Sequence, residues 1–228
     1  NVYAYLHSGI YEKSHGIYQT DYPSSILPDK YLFSGKVGLD EFKRITKRYS
    51  NTNCEIIGSP RFYEPRNKSR NKNTLSFLFL PDGTNYETKY YINSAITLAN
   101  LNKEYSVFIK THPSQTLRFP YQIPKNLKVV NQKLEDFLEK NLVYYAIYTS
   151  SSSIIQAILS GLCPIFYQYS SEQNTNPIYM FWKNKKYLKD LKDLCKLEYL
   201  NEIELYKDEI AINCKSYFEK LNLEPLLK

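Results

Sequence analysis

The sequence has little glycine and almost no methionine: only 7 of its 228 residues are Gly, and one is Met. Its four cysteines lie far apart with no Cys-x-x-Cys spacing, at Cys54, Cys163, Cys195 and Cys214. This distribution excludes the usual signatures of a zinc site or a disulfide framework. We therefore expect no metal site, and we expect reduced thiols in a cytoplasmic protein.

Long apolar runs are also missing, since none approaches the ~20 residues that are needed to span a bilayer. We expect a protein that is soluble or peripheral to a membrane. The chain opens on Val2 to Leu6, a run typical of a β-strand, and it has no initiator Met. This start predicts that an upstream portion of the protein lies outside the sequence.

The chain is basic, with a formal net charge of +7 and a pI near 9.0. Such a charge admits anionic partners, for example nucleic acid, an anionic membrane surface or a phosphorylated substrate. Solvated lysine-rich helix faces would give the same total, and no arginine-glycine tract or aromatic RNA-binding signature is present. A basic nucleic-acid-binding α/β protein therefore remains the less favoured alternative. The 43% hydrophobic content is ample for the core of one large domain or two lobes.

Residues 1–62 contain strand-like runs with one helical pattern between the second and the third, at 2–6, 29–35, 39–45 and 54–57. This alternation predicts the later half of a parallel α/β lobe. His7 follows the first strand, where a side chain can meet a ligand at the carboxyl end of a sheet. The alternative is a loop histidine with no partner. The polar stretch 63–74 is predicted to be an interdomain linker.

Strand and helix patterns alternate again over residues 75–185, which predicts a Rossmann-like second lobe with a doubly wound sheet of about five strands. The strand-like runs are 75–80, 105–109, 127–130, 142–148 and 163–167. Residues 186–228 are lysine-rich, with apolar residues at helical spacing. We expect them to form a helical segment that packs on the lobes.

One polar loop in this lobe follows the strand at 75–80 and contains Asp82, Gly83 and Thr84. Thr84 or Asn85 is the expected cap of the next helix. Free backbone N–H groups and the positive end of the helix dipole could meet an anion there. Plain turn chemistry is the commoner explanation of one glycine at such a turn.

Two further polar loops follow buried strands of the same predicted sheet. Lys110 and His112 point to one side of their strand end, where they could flank an anion, and Pro113 fixes the backbone after them. The loop from Ser150 to Ser153 offers hydroxyls and the N–H groups of a first helical turn, although serine is also simply a good N-cap. Because the carboxyl ends of parallel strands meet at one edge, the two loops together predict one anion site.

These motifs resemble those of a known family. Lys110-Thr111-His112-Pro113 and Thr149-Ser150-Ser151-Ser152, followed by Gly161-Leu162-Cys163-Pro164, resemble the His-Pro and Ser-Ser motifs of bacterial glycosyltransferases with the GT-B fold. Among these are sialyltransferase-like and Kdo-transferase-like enzymes of capsule and lipopolysaccharide synthesis and, more distantly, CDP-glycerol polymerases of teichoic acid synthesis. Leu6-His7-Ser8-Gly9 and Ile57-Gly58-Ser59-Pro60-Arg61 are similar to the His-Gly loop and the Gly-x-Pro-Arg turn of the first lobe. The resemblance implies an α/β, GT-B-like fold of two Rossmann-like lobes with parallel sheets, the first incomplete at its N-terminus.

The resemblance also implies roles for individual residues. Asp82-Gly83 is similar to the acidic-acidic-glycine motif of the sialyltransferases, whose aspartate is the general base. Pro81 replaces the first acid, and His7 is the alternative base. Gln156 stands where many GT-B enzymes have a glutamate that binds ribose hydroxyls. The implied donor-binding and phosphate-binding residues are Gly83, Thr84, Lys110, His112, Pro113, Ser150, Ser151, Ser152, Ser153 and Gln156, with His112 on the donor phosphate and also among the catalytic residues.

The function that the resemblance implies is metal-independent transfer of a sugar from a nucleotide-sugar, for example CMP-activated sialic acid or Kdo. The acceptor would be a glycan or lipid-linked glycan of the bacterial surface. No cofactor beyond this co-substrate and no nucleic-acid partner is expected. The enzyme would be cytoplasmic, with peripheral contact to the anionic inner membrane face. The alternative is an inactive or truncated GT-B-like domain that binds nucleotide or glycan.

Overall fold

The computed structural model contains two parallel β-sheets, one on each side of the predicted linker. It describes residues 2–6, 27–46, 53–62, 64, 70, 75–110, 112–113, 115, 119, 122–167, 175–182 and 186–226. No helix in these ranges is long and apolar enough to cross a bilayer.

The first sheet has three strands in the order β1-β2-β3, all parallel. The strands are β1 (Tyr3–Leu6), β2 (Lys30–Phe33) and β3 (Cys54–Ile56), and helix α1 (Lys36–Ile45) connects the second to the third. Phe42 of α1 packs on Phe33 and Tyr31, with ring centroids 5.2 and 4.8 Å apart. The helix begins three residues earlier than the apolar spacing predicts.

The second sheet has five strands in the order β6-β5-β4-β7-β8, and all of them are parallel. The strands are β4 (Ser76–Leu80), β5 (Ser106–Lys110), β6 (Leu127–Val130), β7 (Tyr145–Tyr148) and β8 (Cys163–Phe166). All five residues of β4 are buried, as expected for the central strand of a sheet covered on both faces. The predicted five-stranded, doubly wound sheet is confirmed.

Helices cover both faces of this sheet because successive strand residues point to opposite sides. Phe77 and Phe79 of β4 belong to one core with helix α2 (Asn85–Leu101). Leu78 and Leu80 belong to the other. That second core also contains side chains of α3 (Leu134–Lys140), α4 (Ser153–Leu159) and the C-terminal helix α6 (Lys207–Cys214), while α5 (Leu197–Glu204) adds to the first.

The C-terminal segment 216–222 returns to the first sheet. The backbone N–H of Glu219 donates to the carbonyl of Ser34, and its own carbonyl accepts from the N–H of Ser59. Asn222 N–H donates to the Ile57 carbonyl. The Glu219 carboxylate also accepts a 3.0 Å hydrogen bond from the N–H of Lys36, at the start of α1.

Candidate active site

The order of the second sheet reverses between β4 and β7. The chain continues from β4 outward through β5 to β6, and it returns to the other side of β4 for β7 and β8. In open α/β sheets, ligands bind outside the carboxyl ends of the strands at such a reversal. The loops that carry Asp82 and Ser150 follow β4 and β7 directly, so they lie side by side at this point.

A cavity of about 330 Å³ opens at this carboxyl edge, beside the ends of β4, β5 and β6. Its walls are Leu80, Pro81, Lys110, His112, Pro113, Asn131, Gln132, Lys133, Leu134, Glu135, Ser151 and Ser153. The His-Pro loop and the serine loop therefore share one cavity, which confirms the prediction that they meet at one edge. A second cavity of about 330 Å³ also includes Asn131 and Gln132, and it extends along the edge strand to Phe108 and Phe137.

Among the described residues, the cavity wall includes two lysines, Lys110 and Lys133, and one acidic residue, Glu135. Burial lowers the pKa of Lys110, and the nearby negative charge of Glu135 acts in the opposite direction. Two cations beside the imidazole of His112 and two serine hydroxyls form surroundings that suit a phosphate group.

The loop after β4 fits closely against His112. Gly83 has φ +95°, and an ideal Cβ at this position would lie 2.5 Å from Cγ of the His112 ring. Gln115 joins the two loops: its Nε2 donates to the Gly83 carbonyl at 2.7 Å, and its backbone N–H donates to the His112 carbonyl at 2.9 Å. A side chain at position 83 would push the histidine away from its place in the cavity wall.

Asp82 lies in a hydrogen-bonded cluster with Glu87 and Ser150. The Ser150 Oγ is 2.9 Å from Asp82 Oδ2 and 2.7 Å from Glu87 Oε2. Asp82 Oδ1 accepts a 2.7 Å hydrogen bond from the N–H of Thr84, and Glu87 Oε1 accepts from the N–H of Asp82. Burial of Glu87, and then the negative charge of Asp82, raise the pKa of Glu87 to about 7.

Five of the predicted donor-binding residues bond to other protein groups instead of lining the cavity: Gly83, Thr84, Ser150, Ser152 and Gln156. Ser150 meets the two carboxylates, and the Ser152 hydroxyl accepts a 2.8 Å hydrogen bond from Arg61. Gln156 is 8% exposed, and its Nε2 donates at 2.7 Å to Glu135, the residue that reaches the cavity. Thr84 is exposed and caps α2, as one of the predicted alternatives has it. His7 lies outside the described residues.

Sequence reasoning missed Glu87 and Glu135. Thr84-x-x-Glu87 has the spacing of a capping box, in which the glutamate returns to the N-cap N–H. The Thr84 hydroxyl does accept from the N–H of Glu87 at 3.3 Å, but the Glu87 carboxylate turns to Asp82 and Ser150. The motif could have directed attention to position 87. Glu135 gave no such signal beyond its place in the first turn of α3. No three His, Cys, Asp or Glu side chains of the described ranges are grouped to hold a metal ion.

Comparison with known proteins finds similarity in structure only. No family model matches the sequence, and no curated protein does. A crystal structure of Arabidopsis thaliana UGT89C1 complexed with quercetin superposes with a TM-score of 0.55 at 11% identity, covering 93% of this chain and 60% of that one. The glycotransferase of kitacinnamycin superposes with a TM-score of 0.50 at 10% identity, covering 86% and 55%.

The fold is GT-B-like. The chain spans just over half the length of these two structures. In this GT-B-like fold, the cavity with His112 lies at the carboxyl edge of the larger sheet, the one with five strands. Arg61, in the turn after β3 at the end of the first sheet, bonds to Ser152 of the loop that also contributes Ser151 and Ser153 to the cavity wall.

Proposed function

We propose that the protein is a glycosyltransferase that moves a sugar from a nucleotide-sugar to the hydroxyl group of a glycan acceptor. The observation that supports this proposal most strongly is the cavity at the sheet reversal of a GT-B-like fold. Its walls bring together Lys110, His112 and the hydroxyls of Ser151 and Ser153. This set of donors matches the phosphate of a nucleotide better than it matches an apolar ligand.

The donor phosphate would lie against His112 and Lys110. When the bond between the anomeric carbon and the phosphate oxygen breaks, its electron pair leaves with the phosphate and negative charge grows on that oxygen. Fixed hydrogen-bond donors and a cation in a partly closed cavity stabilise such charge without reorganising during the reaction. We therefore assign His112 to the leaving group, and we propose that the reaction needs no metal ion.

Glu135 is the group that we propose for the sugar hydroxyls of the nucleotide. A carboxylate would repel the phosphate, whereas it accepts hydrogen bonds from hydroxyl groups. The buried amide of Gln156 holds Glu135 Oε1 at 2.7 Å, so the carboxylate has a defined position. In this proposal Gln156 acts on the ribose through Glu135 and not by direct contact.

The finer assignment follows the motifs of the sequence. We propose a donor of the CMP-activated sialic acid or Kdo type and, as acceptor, a glycan or lipid-linked glycan of a bacterial surface polysaccharide such as capsule or lipopolysaccharide. The transfer reaction would take place in the cytoplasm, with peripheral contact of the enzyme to the anionic inner face of the membrane. His7 stays a candidate base beside Asp82.

Thermal-shift measurements with CMP, CDP, UDP and GDP test the donor site, because a ligand that binds the folded state raises the melting temperature. One of these nucleotides should raise it by several degrees. His112→Ala should abolish this shift while the melting temperature without ligand stays near that of the unaltered protein. Lys103→Ala, an exposed lysine at the opposite end of the sheet, is the matched control and should leave the shift in place.

Transfer is measured separately, as release of free nucleotide from CMP-sialic acid, CMP-Kdo and UDP-sugars in the presence of glycan acceptors. Nucleotide binding without transfer to any acceptor would favour a GT-B-like domain that binds but does not turn over. A steeply salt-dependent affinity for RNA that His112→Ala does not change would instead support nucleic-acid binding.

A further inference from the structure

The carboxyl groups of Asp82 and Glu87 share one serine hydroxyl. Ser150 Oγ is within hydrogen-bond distance of both, at 2.9 and 2.7 Å. A hydroxyl has a single proton to donate. If both carboxyl groups were ionised, Ser150 could donate to only one of them. Its oxygen would then face the other carboxylate oxygen at hydrogen-bond distance with no proton between the two. The geometry therefore requires one more proton within the cluster.

That proton belongs on Glu87. Its side chain is 1% exposed, whereas Asp82 is only half-buried and has the N–H of Thr84 on its other oxygen. Burial disfavours the ionised form of a carboxyl group, and a second carboxylate nearby disfavours it further. The resulting chain runs in one direction: the Glu87 acid donates to Ser150 Oγ, and the Ser150 hydroxyl donates to Asp82 Oδ2. The negative charge then lies on Asp82.

The cluster lies beside the cavity and not inside the sheet. Pro81 and Ser151, the sequence neighbours of Asp82 and Ser150, are both wall residues. Gly83 packs against the His112 ring. Asp82 thus lies in sequence between a wall residue, Pro81, and the residue that packs against His112, Gly83. Asp82 Oδ1 accepts from the Thr84 N–H and Oδ2 from the Ser150 hydroxyl, and beyond these two bonds to described residues each oxygen has lone-pair capacity for a further donor.

We propose that Glu87 and Ser150 are positioning residues that hold Asp82, through one shared proton, as the general base of glycosyl transfer. This inference rests on the proposed function and names the base on which that function depends. In the transfer step the acceptor hydroxyl oxygen bonds to the anomeric carbon, and its proton passes to Asp82. The bond from that carbon to the phosphate oxygen breaks, and the phosphate leaves with the electron pair. Asp82 afterwards releases the proton to water.

The charged and titratable groups around Glu87 are few in the described part of the chain. Asp82 faces it from the loop after β4, and Ser150 faces it from the loop after β7. One helical turn further along α2, Tyr91 bonds to Thr149 at 2.8 Å. His112 stands beyond Gly83. We therefore expect the proton of Glu87 to be the main control on this relay, the hydrogen-bonded chain from Glu87 through Ser150 to Asp82.

The test compares the pH dependence of kcat for the unaltered protein, Glu87→Gln, Ser150→Ala and Ser150→Thr. The unaltered protein should lose kcat above pH about 7, because ionised Glu87 no longer donates to Ser150. Glu87→Gln keeps a donor that does not titrate, so its alkaline decline should disappear. Ser150→Ala should lower kcat about 10- to 100-fold with little change in donor KM, and Ser150→Thr should restore most of it.

Two controls separate this proposal from a merely structural role. Glu198→Gln, on the exposed face of α5, and Ser106→Ala, at the amino end of β5, should keep the profile of the unaltered protein. An identical pH profile for Glu87→Gln and the unaltered protein would overturn the relay, as would full kcat in Ser150→Ala.

A second measurement does not need turnover. Carboxyl ¹³C chemical shifts of the full chain, followed against pH, should show one group with a midpoint near 7 that is lost in Glu87→Gln. A Glu87 carboxyl that titrates below pH 5 would rule out the shared proton even if the enzyme is active. Nucleotide binding and transfer with no such midpoint would leave the proposed function standing and remove the relay alone. Absence of both nucleotide binding and transfer would overturn the proposed function, and this inference with it.

Discussion

Arg61 Nη1 donates a hydrogen bond of 2.8 Å to Ser152 Oγ, and this bond joins the turn after β3 to the loop that opens α4. The guanidinium also lies over the Phe218 ring, 5.2 Å from its centroid. Arg61 therefore contacts the first sheet's turn, the serine loop and the C-terminal segment together. The serine loop that forms part of the cavity wall depends on this residue for one of its anchors.

Arg61→Ala should lower the free energy of unfolding by about 1–2 kcal/mol, because it removes a partly buried hydrogen bond that a cation donates and the contact with the phenylalanine ring. Urea denaturation of Arg61→Ala, Ser152→Ala and the double variant forms a mutant cycle. The coupling between the two residues should be about 0.5–1.5 kcal/mol. Lys103→Ala combined with Ser152→Ala is the control pair, and its effects should add. Additivity in the Arg61 cycle would contradict the contact.

Gly83→Ala should disturb the cavity strongly, although it adds only one methyl group. The methyl group would overlap the His112 ring, and φ +95° is a conformation that residues with a Cβ adopt at a cost. We expect a loss of about 1–3 kcal/mol in unfolding free energy and weaker nucleotide binding by calorimetry.

Gly38→Ala is the matched control for this substitution. Gly38 lies within α1, and an added Cβ would make an ordinary contact of 3.7 Å with Phe33. Since alanine is the better helix former, this variant should be neutral or more stable by about 0.5–1 kcal/mol. Equal behaviour of the two variants would show that position 83 tolerates a side chain after all.

The buried Glu87 carboxyl should make the protein less stable as the pH rises. Its pKa is about 7 in the folded state and ordinarily 4.5. Below pH 4.5 both states hold the proton, so no penalty exists. Between pH 4.5 and about 7 the folded state binds more protons than the unfolded state, so the free energy of unfolding falls as the pH rises. Above pH 7 the full loss of about 3 kcal/mol is reached.

This dependence can be measured by urea denaturation from pH 4 to 8. Glu87→Gln has no proton to lose, so its stability relative to the unaltered protein should increase across that window. Glu198→Gln, an exposed glutamate on α5, should show a constant difference. A constant difference for Glu87→Gln as well would mean that Glu87 is ionised in the folded state throughout.

Glu135 should determine whether the protein binds a ribonucleotide more tightly than the corresponding 2′-deoxynucleotide. If its carboxylate accepts from ribose hydroxyls, Glu135→Ala should reduce the preference for a ribonucleotide over its 2′-deoxy form by about tenfold or more. Asp136→Ala, the exposed neighbour on the same helical turn, is the control and should retain the preference. Calorimetric titration with both nucleotides gives the ratio directly. An unchanged ratio in Glu135→Ala would place the ribose elsewhere.

Much of the second sheet is predictable because its signals are local. Five of the six residues from Leu75 to Leu80 are apolar, and residues Ser76–Leu80 of this run form the fully buried central strand β4. Thr84 precedes a helical pattern and caps α2. Each feature depends on residues close together in sequence, where propensity and hydrophobic period act.

The contacts that sequence reasoning missed are long-range. Arg70 lies in a polar stretch that is typical of a linker, yet its guanidinium bonds to the backbone carbonyls of Leu138, Asn141, Val143 and Ser160. Those partners follow it by 68 to 90 residues. Glu87 and Ser150 are likewise 63 residues apart. No local spacing encodes such pairs, because the fold brings them together only after the sheet has formed.

The return of segment 216–222 to the first sheet has a consequence for biosynthesis. The loops after β2 and β3 complete their backbone hydrogen bonds with Glu219 and Asn222. A ribosome makes the strands of the first sheet before those of the second sheet, and it makes these two residues after the second sheet. Since contacts between residues distant in sequence form late and slowly, the loops of the first sheet cannot complete these hydrogen bonds until the second sheet has been translated. A shortened chain that ends before residue 216 should therefore be captured by chaperones or degraded, even though its five-stranded sheet is complete.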